Sequence, residues 1–445
     1  MHLQDKGGGV RASGVATAEA VVGPRLHPAR SSQPTARQRG ALALLAAVFA
    51  IHFLDRQLLA ILIPPIKAEL GLSDTALGFL SGFAFTVFFT TVGLVIARIA
   101  DRADRARIIT WSLVAFSAMT ALCGLAASFW QLALARIGVG AGEGGTNPAS
   151  HSLIMDTFPA HYRATAMAIY GLGPNLGIVL AFGIGGWLAQ TAGWRAAFLC
   201  AGVLGLLVAL AARVGLRDPR SQTPATLHGG APGALAVARA MFASPTQRHL
   251  LAAATLATAG ANGVVTWLPA LLTRLHGFSL AQAGLFLAIV LGLIGAAGTY
   301  ACGRLSDRAS IADPRRKLFV LAGLQCFVAL TLPFGLLAGS DVIAALLLSV
   351  PCVVLAGYVG PTLAVVQSVV DPRARAFSAA ILLLCVNLVG AGIGPFAVGV
   401  LSDIAAATAG PASLRHALLL APVFCLWSAW HYWRATPTFV AALRT

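Results

Sequence analysis

Charge is scarce in this chain, and acidic charge scarcest of all. Only 10% of its 445 residues are charged, and Asp and Glu together number 15. Several motifs are absent as well. There is no G-x-x-x-x-G-K-[ST] loop and no polar domain to hold nucleotide, which excludes work driven directly by ATP. Without H-E-x-x-H, or a G-x-S-G serine with a histidine partner, an intramembrane protease has no machinery. The seven cysteines, Cys123, Cys200, Cys302, Cys326, Cys352, Cys385 and Cys425, form no C-x-x-C and no metal spacing. All fall in apolar runs and read as small core hydrophobes. No cluster of carboxylates and hydroxyls marks a sodium site, and neither a metal nor a cofactor is expected.

What fills the chain is apolar. At 58% hydrophobic residues and a mean hydropathy of +0.81, it carries far more apolar surface than a soluble domain of this size could bury. Runs of about 20 residues, enough to cross a bilayer, recur near 41–63, 75–98, 107–127, 131–154, 165–189, 195–213, 248–272, 280–302, 317–338, 342–367, 376–401 and 414–433. The fold class is therefore all-α integral membrane, with twelve transmembrane helices. Of 31 Lys and Arg residues, four lie in odd-numbered loops (Lys67, Arg195, Arg274, Arg415) and two inside spans (Arg56, Arg136). The other 25 sit in the termini and the even-numbered loops. By the positive-inside tendency both termini are cytoplasmic, in the inner (cytoplasmic) membrane. A net charge of +16 scattered over short loops, with no aromatic-interleaved basic stripe, is not a nucleic-acid surface.

The chain divides into a disordered cytoplasmic tail over 1–38, a six-helix half over 39–213, a cytoplasmic linker over 214–247, a second half over 248–434 and a short tail over 435–445. The tail is rich in Gly, Ser, Pro, Ala and Arg and shows no cleavage site. Within the linker, residues 234–243 read as a short amphipathic piece. The halves echo one another: "RATAMAIYGLGPNL" (163–176) aligns with "RAFSAAILLLCVNL" (375–388), and "ARIADRADRAR" (97–107) with "GRLSDRASIADPRRK" (303–317). Two parallel six-helix halves with a substrate site between them near the midplane are a transporter architecture.

Of the acidic residues only Asp55 and Glu143 sit well inside spans. A charge at a helix centre costs about 2.5–3.5 kcal/mol, so such residues usually face a polar cavity and carry function; the structural alternative is an ion pair of Asp55 with Arg56 or Arg136 that locks two helices together. Arg136 and Glu143 are seven apart on span 4, on one helix face but roughly 10 Å from each other. They cannot pair directly, and Asp55 and Arg56 of span 1 are candidates to stand between them. His52 lies three residues before Asp55 on the same face, and His151 eight after Glu143; each is either a proton relay or a packing group. Asn175 and Asn387, matched across the repeat, line the cavity or bridge helices. Gly140, Gly142 and Gly145 fit G-x-G-x-x-G, but no strand precedes them, so no dinucleotide site is expected. Gly138, Gly140, Gly142 and Gly144 instead repeat at G-x-x-x-G spacing, as do Gly78 and Gly82, allowing close helix approach.

Asp101-Arg102 with Arg105 after span 2, and Asp307-Arg308 with Arg315 after span 8, resemble the G-x-L-a-D-r-x-G-R-[RK] loop signature of the major facilitator superfamily. The first copy has Ala97 and Asp104 where glycines are usual. The resemblance implies that these loops are cytoplasmic latches, their Asp pairing with an Arg or a helix N-terminus when the protein faces outward. "LDRQLLAILIPPIKAELGLSDTALGFLSGFAF" (54–85), "RIGVGAGEGG" (136–145), "SLIMDTFPAHYRATAMAIYGLG" (152–173) and "GWRAAF" (193–198) narrow the likeness to the Spinster-like branch. That resemblance implies a polar centre of Asp55, Arg56, Arg136 and Glu143, with protonation of an acid driving alternating access. The chain is then expected to be a monomeric secondary active transporter, not an enzyme, coupled to H+. Its substrate is a small molecule or membrane lipid: a lysolipid or sphingolipid-like amphipath, or an organic anion. A multidrug or aromatic-acid substrate fits the same fold. A non-transporting receptor or scaffold would be expected to lose the intramembrane charges, which are all present.

Overall fold

The computed structural model describes residues 34–100, 103–159, 161–219, 234–371 and 374–443. Most of the 1–38 tail, residues 220–233 of the linker, and Asp101 and Arg102 therefore lie outside the described residues. Among those described, nine helical runs are long and apolar enough to cross a membrane. Two of them, Arg163–Gly215 and Phe377–Ala442, fold back on themselves and hold two spans each. The reversals fall at Gly193 (φ 87°) and near Gly410 (φ 52°), in the left-handed region that an L side chain resists. Span 4, Phe129–Glu143 continued by Thr146–Thr157, completes the twelve. It is the most polar of them, because it carries both Arg136 and Glu143. The helix of span 12 continues through the residues assigned to the tail, to Ala442. The linker piece forms a helix over Ala234–Ala243.

With twelve spans, the termini and the even-numbered loops share one face, here called the basic face; the odd-numbered loops form the distal face. Outward-pointing side chains such as Trp111, Trp130 and Leu210 are 66%, 73% and 64% exposed. In water such a belt would aggregate, whereas in a bilayer it meets lipid. The seven cysteines are unpaired, and not all are buried: Cys200 is exposed.

Lipid supplies no hydrophobic drive for helix association, so the bundle relies on close backbone packing. The glycine stripe of span 4 divides between two neighbours. A methyl group on Gly140 or Gly144 would strike the backbone of span 2 at Phe85 and Gly93, and one on Gly138 or Gly142 would strike Met119 and Phe116 of span 3. Gly78 and Gly82 on span 2 (Asp74–Ser81 and Phe83–Ala100) face the other half instead. A methyl on Gly78 would come 2.6 Å from the Pro395 carbonyl of span 11, and one on Gly82 would overlap the Gly392 carbonyl. Span 5 meets span 8 in the same way, with Gly186 against the Leu280 carbonyl and Gly284 against that of Phe182. Spans 5, 8 and 11 each contain a π-helical turn, at Leu180–Ile184, Ala288–Ile294 and Cys385–Ala391. Such turns bend a helix and recur at functional sites.

These contacts join the halves over the distal face and towards the middle. Among the described residues, every hydrogen bond and ion pair between the halves lies at the distal face: Asp74 and Thr75 with Arg274, Ser402 and Asp403, and Gln190 with the Ala281 amide. The bundle is closed there.

Gly140→Ala should therefore lower the thermal midpoint of the purified protein, at an overpacking cost of about 1–3 kcal/mol. Gly323→Ala, where the added methyl meets nothing within 4 Å, should leave the midpoint unchanged or raise it. Equal midpoints in a thermal-shift assay would show that the span 2–span 4 approach is not tight.

Candidate functional site

The polar centre is built from the inner faces of spans 1 to 4. Span 1 (Ala36–Leu70) carries His52 and Asp55 three residues apart, so both point to the same side. Asp55 is 1% exposed. One of its carboxylate oxygens accepts from Nη1 of Arg136 at 2.7 Å, and the other accepts from the Thr120 hydroxyl of span 3. Arg136 is equally buried, and its guanidinium carbon stands 5.3 Å from the centre of the Phe85 ring. This is the charge pair on which spans 1, 3 and 4 converge.

Glu143 has no exposure at all and no arginine within ion-pair distance. Its neighbour is His52, whose Nδ1 lies 3.2 Å from Glu143 Oε2. The two are close but poorly aligned: neither ring nitrogen of His52 and neither carboxyl oxygen of Glu143 makes a hydrogen bond of good geometry. Rings of Phe49, Phe53 and Phe89 surround the imidazole at 6.0, 5.7 and 5.6 Å. Buried polar atoms left unsatisfied are costly, and where they persist they mark a functional tension. The sequence placed His52 on the correct face, and only the structure makes it the partner of Glu143.

Arg56, one residue beyond Asp55, makes an ion pair with neither carboxylate. Its guanidinium carbon sits 4.9 Å from the ring centre of Phe85, 5.6 Å from Phe89 and 5.9 Å from Phe53. Among the described residues no carboxylate lies within ion-pair distance of it. It borders a polar cavity whose other walls include Gln57, Thr86 and Arg136 from the first half, and Asn262 and Thr266 of span 7 from the second. Asn262 and Thr266 were not singled out in the sequence. They sit in an apolar-looking helix, Pro245–Leu275, and no charge flags them.

The remaining candidates lie elsewhere. Asn387 bonds back to the Leu383 carbonyl at 2.9 Å within the π turn of span 11, and Asn175 sits on span 5 where Gly292 of span 8 packs against it. Neither lines the cavity. His151 packs edge-on against Tyr170. Arg105 is 1% exposed, pairing with Asp218 after span 6 and, at 2.8 Å, with Asp156 at the end of span 4. It ties together three helix ends of one half. Asp307 is exposed and bonds Lys317 at 2.8 Å, and Arg308 is exposed. Asp101 and Arg102 lie outside the described residues.

The sequence profile described as Major Facilitator Superfamily matches residues 45–395. The chain belongs to this superfamily. A crystal structure of a bacterial homologue of the human lysosomal transporter Spinster, in an inward-facing and unoccupied conformation, superposes with a TM-score of 0.80 at 28% identity, covering 92% of this chain and 99% of that one. The occupied, inward-facing form also gives 0.80. An MFS-type efflux pump of Mycolicibacterium smegmatis is 32% identical over 406 residues, 91% of this chain and 94% of the pump. A probable L-galactonate transporter of Escherichia coli is 28% identical over 322 residues, 68% of this chain and 70% of that one. The protein is thus a multi-pass membrane transporter of the Spinster-like branch and not an enzyme.

Breaking a buried ion pair from one side leaves an uncompensated charge and costs about 3–5 kcal/mol. Asp55→Asn and Arg136→Gln should each lower the thermal midpoint markedly, and the double variant should recover much of the loss. If the double variant is as unstable as the two losses added together, the residues are not coupled.

Proposed function

We propose that the protein is a proton-coupled secondary transporter carrying an amphipathic organic anion by alternating access, its basic face cytoplasmic in the inner membrane. One observation carries the reading: Arg56 stands at the cavity between the halves, ringed by three phenylalanines and, among the described residues, with no carboxylate within ion-pair distance. A guanidinium holds a carboxylate or phosphate through paired hydrogen bonds and stays charged at every relevant pH. The aromatic rings suit the apolar body of such a ligand. Asn262 and Thr266 let one bound anion touch both halves. A ligand moves a conformational equilibrium only through contacts that differ between its states. Similarity to a probable L-galactonate transporter supports an acid as substrate.

Glu143, with His52 against it, is the proton site. Asp55 is already held by Arg136 and Thr120 and serves to fix the centre. Arg56 and the His52 of the Glu143–His52 pair flank one ring, Phe89, each at 5.6 Å, and charges this close act on one another through a low-dielectric interior. An anion on Arg56 therefore places like charge near Glu143 and favours the form with one more proton on the Glu143–His52 pair. By linkage the proton favours the anion to the same degree, so the two bind together.

Carboxylates should raise the thermal midpoint of the purified protein more as pH falls, and Glu143→Gln should remove that pH dependence while keeping binding. Arg56→Ala should weaken carboxylate binding by at least about tenfold, the loss of one charge-assisted contact. The same panel should include lysolipids and cationic drugs, because one relative is an efflux pump. Stabilisation by cations alone, undiminished in Arg56→Ala, would refute the anion reading. Uphill transport by reconstituted Glu143→Gln at the unmutated rate would move coupling to another group.

The orientation has its own check. A fluorescent-protein fusion at residue 230 should light up in the cytoplasm, and a reporter active only in the periplasm would reverse it.

A further inference from the structure

The segment Gly399-Val400-Leu401-Ser402-Asp403, at the distal end of span 11, repeats Gly303-Arg304-Leu305-Ser306-Asp307 of the basic-face loop at four of five positions. The two copies are in opposite states. At the basic face, among the described residues, a methyl on Gly303 would meet nothing within 4 Å, the buried Ser306 hydroxyl has no hydrogen-bond partner, and Asp307 is exposed and bonded to Lys317 of its own half. At the distal face all three equivalents are engaged with the N-terminus of span 2. A methyl on Gly399 would overlap the Asp74 carbonyl. The Ser402 hydroxyl donates to Asp74 Oδ2 at 2.7 Å. Asp403 accepts from the backbone N–H of Asp74 at 3.0 Å and of Thr75 at 2.7 Å, so a carboxylate from one half caps a helix belonging to the other.

We infer that Gly399, Ser402 and Asp403, with Asp74 and Arg274, form a distal latch that holds the transporter open to its basic face. The anion at a helix N-terminus gains from two charge-assisted hydrogen bonds and from the helix dipole. Asp74 adds a second clasp, taking both outer nitrogens of Arg274 at 2.9 Å while Lys67 of its own half reaches it at 2.6 Å. Lys67 and Asp74 belong to the first half, Arg274 and Asp403 to the second. Each half therefore keeps one cation and one anion when the halves part, and no charge is left without a counter-charge in its own half. That makes the contact a switch and not a fixed staple. The same five-residue pattern, closed at one face and released at the other, is what alternation between two states requires.

The test uses spin labels at Ala127 and Ala407, one at the distal end of each half, in full-length protein whose native cysteines are replaced. Distances are measured without substrate at fixed pH, so the outcome does not depend on the proposed anion or proton. In the parent the short distance should dominate. Asp403→Asn should raise the ratio of long to short distance by about tenfold or more, as expected for loss of a charged acceptor. Gly399→Ala should do the same by steric exclusion. Should Asp403→Asn fail to give a monodisperse protein, Arg274→Gln, which leaves Lys67 on Asp74, should produce the shift. Unchanged distances in well-folded Asp403→Asn and Arg274→Gln would overturn the latch, even if Gly399→Ala separates the halves.

Discussion

The buried pairing of Asp55 with Arg136 is the constraint around which the first half is organised. Either charge left without its partner in the hydrocarbon depth of the bundle would be costly. Together, with Thr120 completing the carboxylate, they draw spans 1, 3 and 4 to one point. That choice of partner decides the rest of the centre. Because Asp55 is taken by Arg136, its neighbour Arg56 is released to the cavity. Because Arg136 is taken by Asp55, Glu143 is left to His52. The ion pair that locks spans 1 and 4 and the polar groups it leaves to other partners are thus consequences of one another.

The second constraint is close approach between the halves. Spans 2 and 11, and spans 5 and 8, touch through glycines whose added methyl would strike carbonyl oxygens, and three of these four helices contain π turns. A tight, dry contact without side chains has little tolerance for intermediate spacing, so it is either made or broken. Polar groups such as Asp74, Arg274 and Asp403 then bias which it is. The cavity at Arg56 lies where these contacts end. Asn262 and Thr266 bring the second half to its wall.

Much of this was legible beforehand. Twelve spans, and the presence of Asp55, Arg136 and Glu143 inside them, follow from hydropathy, and the structure buries all three. The glycine spacing of span 4 announced close packing, though not that alternate glycines serve different neighbours. Arg105 read as a gate residue, yet it is buried among Asp156 and Asp218 of its own half. Asn175 and Asn387, matched by the repeat, are not among the residues lining the cavity at Arg56; Asn387 lies in a π turn and Asn175 in an ordinary helical turn.

Hydropathy along the chain requires a membrane, sets how often it is crossed and marks which charged side chains lie within it, since transfer into lipid is a local property of each segment. Who pairs with whom is set by the assembled bundle. Arg136 with Asp55, His52 with Glu143, and Asp403 with the first turn of span 2 join residues 81, 91 and about 330 positions apart. Partnership between charges in a low-dielectric interior depends on ångström distances between helices, and no spacing along one chain can encode those distances.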